Sequence, residues 1–93
     1  MDYETFKERI SGLDTVYSVQ GRVPYRICMV KDGIVTIRRE STGNSVNIKL
    51  DELYEFYKKE RIYTTTKARE YISGRAFSPA VAILMTLTEK TNG

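Results

Sequence analysis

The chain has 93 residues, among them no histidine and a single cysteine, Cys28. Imidazole and thiolate are the side chains whose charge changes between pH 5 and 8. Their scarcity excludes Ser-His-Asp and Cys-His catalysis and any zinc site built from several His or Cys ligands.

An apolar fraction of 41% and a charged fraction of 29% suit one globular domain, residues 1–93, with a modest core. The net charge is +3, and its distribution says more than its size. Residues 21–50 carry +4 (Arg22, Arg26, Lys31, Arg38, Arg39 and Lys49 against Asp32 and Glu40), whereas residues 1–20 carry −2. The longest nearly uncharged run, Ala76 to Thr88, is too short for a bilayer and is interrupted by Ser78 and Pro79, so no membrane is expected. The first ten residues are mixed in charge and amphipathic, unlike a secretory signal. With one cysteine and no internal disulfide, the expected compartment is the cytoplasm.

Taken along the chain, Asp2 is placed to cap a helix whose stripe is Tyr3, Phe6, Ile10 and Leu13, closed by Ser11-Gly12. Residues 15–20, TVYSVQ, read as a strand, which Gly21 and Pro24 confine to an edge. Asp32-Gly33, between two apolar-rich runs, is the preferred two-residue hairpin turn. It sets Val30 opposite Val35, Cys28 opposite Ile37 and Arg26 opposite Arg39. A second turn at residues 41–44 sets Arg39 opposite Val46, Ile37 opposite Ile48 and Val35 opposite Leu50. Both registers put Cys28, Val30, Val35, Ile37, Val46, Ile48 and Leu50 on one face, the expected core, with Cys28 unreactive inside it.

Asp51 is the expected cap of a helix to about Glu60, with Leu53, Phe56 and Tyr57 inward. Its acids come first and its bases last, which matches the helix dipole. A break leads to a helix over 65–73, capped by a threonine and stopped by Gly74. Ser78-Pro79 reads as a cap and first turn, opening a helix, AVAILMTL, that is apolar on nearly every side. Such a helix is either core or covered by a partner. The sum is an α+β domain: a three-stranded antiparallel meander, with a fourth strand at the edge, an N-terminal helix and three C-terminal helices packed on one face. This layout resembles that of sheet-reading DNA-binding domains, a likeness of fold and not of function.

Three constellations carry chemistry. The outer face of the meander, by this register, shows Tyr25, Ile27 and Met29, then Ile34, Thr36, Arg38 and Glu40, then Ser45, Asn47 and Lys49. Arg and Asn pair bidentately with guanine and adenine edges, and Arg26 and Arg39 at one edge suit phosphates. A solvated sheet face also uses these residue types for solubility alone. The second constellation is Thr65, Lys67 and Arg69 at a helix start, where hydroxyls, amides and bases meet an anion, or where a threonine simply caps. The third is Arg75 in the corner 74–79, ahead of the last helix.

Seven tyrosines suit either half-buried packing or an interface. The acids do not assemble a catalytic pair, because Asp51, Glu52 and Glu55 open a helix and Glu40 falls at the other end of the sheet. No cofactor or metal is expected. The sequence thus points to a small non-catalytic module that binds nucleic acid, DNA in particular, through Arg26, Thr36, Arg38, Arg39, Asn47, Lys49, Thr65, Lys67 and Arg69. The alternative is a protein-interaction or homodimerising module that uses the apolar last helix and the tyrosine-rich helices.

Overall fold

The computed structural model describes residues 1–17 and 23–92. In chain order it contains α1 (Tyr3–Ser11), β1 (Thr15–Tyr17), β2 (Pro24–Lys31), β3 (Ile34–Arg39), β4 (Ser45–Lys49), α2 (Leu50–Lys59), α3 (Thr65–Tyr71) and α4 (Phe77–Asn92). The four strands form one antiparallel sheet in the order β1-β2-β3-β4, and the helices pack on one of its faces, an α+β two-layer domain. Positions 18–20 of the expected first strand lie outside the described residues.

Helix α1 begins as expected, the Thr5 amide donating to Asp2 Oδ1 at 2.8 Å. Gly12 ends it, its N–H donating to the carbonyls of Glu8 and Arg9. Phe6 and Ile10 are fully buried, each contributing about 1.5–3 kcal/mol by leaving water. The first hairpin turns at Asp32-Gly33, whose φ angles of 54° and 74° are the left-handed pair that a right-twisted hairpin requires. Val30 pairs with Val35, as the turn dictates.

Beyond that pair the register departs from the regular ladder. Ile27, not Cys28, lies opposite Ile37; Arg26 lies opposite Arg38 and Tyr25 opposite Arg39, because a bulge interrupts the strand between Ile27 and Met29. One extra residue reverses the faces of everything before it. Tyr25 turns inward and is 7% exposed, Ile27 packs against the core, and Cys28 is exposed. The physical reason lies in the alternative. A regular strand would hold Tyr25 and Ile27 in water and drive the Arg26 guanidinium into the core, a costly burial of an unpaired charge. Cys28 is therefore neither core nor shielded.

The second hairpin slips by two. Arg39 donates its N–H to the Asn44 carbonyl at 2.9 Å, and Gly43 donates back to the Arg39 carbonyl at 2.8 Å. Residues 40–43 alone make the turn, so Ile37 meets Val46 and Val35 meets Ile48. An even slip preserves the faces: Val35, Ile37, Ile48 and Leu50 are buried, Val30 is half-buried, and Val46, at the end of the sheet, stays 39% exposed.

Lys49, not Asp51, occupies the cap position of α2, and it makes no side-chain capping bond. Thr64 caps α3, accepting from the Lys67 amide at 3.1 Å. Helix α4 starts at Phe77, two residues before the Pro79 start that a Ser78 cap implies. Its residues Ala80 to Leu84, and Leu87, are buried and belong to the core of this one chain. Tyrosines of the helical layer pack against that core as well. Tyr3 meets Tyr54 edge to face at 5.4 Å, Phe6 packs tilted against Tyr54 at 5.1 Å, and Phe56 packs between Tyr63 and Tyr71 at 5.3 and 5.2 Å. The hydroxyls of Tyr54, Tyr63 and Tyr71 donate to Met1 O, Tyr57 O and Glu60 Oε2, so rings are covered while each polar tip is satisfied. Among the described residues no helix is long and apolar enough to cross a membrane.

Candidate functional site

The face of the sheet turned away from the helices is organised in cross-strand rows. One row runs Thr15, Arg26, Arg38, Ser45; the next Met29, Thr36, Asn47; the third Lys31, Ile34, Lys49. Tyr17, beside Pro24, lies beyond the first row on the same face and is 54% exposed. Four cations thus sit on two rows, with a polar row between them. Arg38 lies four steps along β3 from Ile34, so the two cationic rows stand about 13 Å apart at ~3.3 Å per residue.

The bulge makes this face more basic than a regular ladder would. It removes Tyr25 and Ile27 and supplies Arg26, directly opposite Arg38. Like charges in direct cross-strand register destabilise a sheet. Among the described residues only a weak ion pair offsets them: Arg26 Nε lies 3.7 Å from Asp14 Oδ1, with side chains 53% and 79% exposed, a geometry worth little in water. Among the described residues Lys31, Arg38 and Lys49 have no ion-pair partner. At the centre Thr36 Oγ1 donates to Asn47 Oδ1 at 2.9 Å. This bond orients the carboxamide and leaves both Asn47 N–H donors for another acceptor.

Of the sequence candidates, Arg26, Thr36, Arg38, Asn47 and Lys49 therefore share one surface. Arg39 does not; it takes the helix-side face of β3, at the strand's end. Thr65, Lys67 and Arg69 belong to the helical layer, and Lys67 and Arg69 have partners there. Lys67 Nζ lies 4.0 Å from Glu60 and 3.7 Å from Glu70, the Arg69 guanidinium stands 5.5 Å over the Phe77 ring, and the cap is Thr64. Residues the sequence reading missed are Lys31 and Tyr17. Both were legible: Tyr17 alternates with the buried Val16, and Lys31, on the turn side of the bulge, follows Met29 by two and pairs with Ile34.

The acids of α2 have structural partners. Glu52 Oε1 accepts from the Ser73 amide and hydroxyl at 3.0 and 2.9 Å. Glu55 lies 3.5 and 3.4 Å from Lys58 and Lys59, and the hydrogen bond from Lys59, with the charge of Lys58, holds its carboxyl below the usual range. No group of three or more Cys, Asp or Glu among the described residues is arranged to hold a metal. No family model, curated protein or solved structure matches the chain.

Proposed function

We propose that this domain is a non-catalytic nucleic-acid-binding module that receives duplex DNA on the outer face of its sheet. The observation that carries the reading is the direct opposition of Arg26 and Arg38 on an uncovered face, with Lys31 and Lys49 on a parallel row. A polyanion relieves that repulsion and draws its affinity from it, because each phosphate neutralised releases counterions. The ~13 Å between the cationic rows compares with the ~12 Å width of the major groove, so the rows meet phosphates on either side of it. Thr36 and Asn47 then face the base edges, where the Asn47 carboxamide suits adenine, and exposed Tyr17 offers a ring for stacking.

Titration of duplex DNA and single-stranded RNA into the protein at about 50 mM salt tests this, since even non-specific binders show micromolar affinity or better there. The expected result is binding of duplex DNA in that range, weakening as salt rises. Absence of binding to either nucleic acid ends the reading.

A further inference from the structure

Arg39 and Arg75 come from different elements and line the same recess. Arg39 ends β3 on the helix side of the sheet, and Arg75 stands in the α3–α4 corner, just after Gly74, whose φ of 80° turns the chain there. The recess holds about 200 Å³; Thr42 and Asn44 of the β3–β4 turn add hydrogen-bonding groups, and Val46 and Pro79 form an apolar wall. Among the described residues neither arginine has an ion-pair partner. Two arginines lining one concavity concentrate positive charge there, which an entering anion neutralises. Their planar forks match the oxygens of a phosphate, each able to donate two parallel bonds.

Size and place narrow the ligand. Pockets for whole small molecules run about 300–1,000 Å³, so this recess takes a terminal group and little more. Arg39 follows Arg38 in sequence and projects from the opposite face of β3. The recess is therefore reached by passing over the β3–β4 turn from the Arg26–Arg38–Ser45 row. A continuous duplex cannot fold into such a space, whereas a strand end can. Resting on the reading above, we infer that the Arg39–Arg75 recess binds the terminal phosphate of a nucleic-acid strand whose body lies on the outer sheet face.

The test compares three DNA duplexes of one sequence by calorimetry, their ends 5′-phosphorylated, 3′-phosphorylated, or hydroxyl throughout. Each is titrated into the native protein and into Arg75→Ala, with inorganic phosphate titrated separately. One phosphorylated form is expected to bind about ten-fold tighter than the hydroxyl-ended duplex, a difference of about 1.4 kcal/mol. Arg75→Ala should erase that preference and Arg75→Lys, which keeps charge but not the fork, should restore it only in part. Equal affinity for all three duplexes overturns the inference and leaves the sheet-face reading intact. Saturation by inorganic phosphate without discrimination among strand ends also overturns it, assigning the recess to free phosphate. Failure of every duplex to bind removes both readings together.

Discussion

The bulge in β2 decides which side chains face water, and adjacent substitutions at Ile27 and Cys28 test it. Ile27 is half-buried against the core and Cys28 is exposed. Replacing a fully buried isoleucine by alanine costs about 2–5 kcal/mol; half burial reduces that to about 1–2 kcal/mol. For a domain of this size each kcal/mol moves the melting temperature by about 4–8 °C, so Ile27→Ala should melt roughly 4–16 °C lower. Cys28 makes one long contact, its thiol donating to the Arg26 carbonyl at 3.7 Å, and Cys28→Ser should stay within about 0.5 kcal/mol of the parent. Urea and thermal denaturation of both variants, with thiol labelling of the native protein, give the comparison. A regular ladder requires the opposite ranking: a protected thiol, a Cys28→Ser cost of about 1–3 kcal/mol, and a nearly silent Ile27→Ala. That result would refute the bulge and, with it, the Arg26–Arg38 opposition on the outer face.

Two further predictions concern the helical layer. Leu84 is fully buried, so Leu84→Ala should lose about 2–5 kcal/mol by urea denaturation while sedimentation shows no change in oligomeric state. The Tyr71 hydroxyl donates to Glu60 Oε2 at 2.7 Å; that bond, with burial and the carboxylate's charge, pushes its phenol up to about 12 from 10.0. The folded state thus favours the protonated ring, a stabilisation fully present below pH 10 and lost as pH rises toward 12. Tyr63 and Tyr3 shift the same way, mainly through burial. The urea midpoint should fall over that alkaline window, and less steeply in Tyr71→Phe. An identical fall in both proteins would show that the Tyr71 bond does not contribute.

How much of this was legible from residues depended on whether the deciding interaction was local. Asp2, Asp32-Gly33 and Gly12 act on neighbours within four positions, and each did what its chemistry prescribes. The face assignment of β2 was not local. Ile27, Cys28, Met29 and Val30 are all apolar, so the alternation that would reveal a bulge is blank across the segment that contains it. The choice was made by the fit of Tyr25 under α4, where its hydroxyl donates to Ser78 Oγ at 3.4 Å, and by the exclusion of Arg26 from the core. The second turn was visible as a turn, but its closing pair, Arg39 and Asn44, was not, because any even slip satisfies the same hydrophobic pattern. At the candidate site, Thr36, Arg38, Asn47 and Lys49 could be grouped from spacing alone. The stacking of Arg69 on Phe77 could not, since it depends on how the corner at 72–76 folds α4 back on α3.

The salt dependence of DNA affinity bears most directly on the central claim. Each phosphate contact adds about 0.9 to the slope of log K against log salt concentration. Removing Arg26 and Arg38 together by alanine substitution should flatten that slope by about 1.8, while Lys67→Ala with Arg69→Ala should leave it unchanged. A slope unaltered by the first pair, or flattened equally by the second, would contradict binding on the outer face of the sheet.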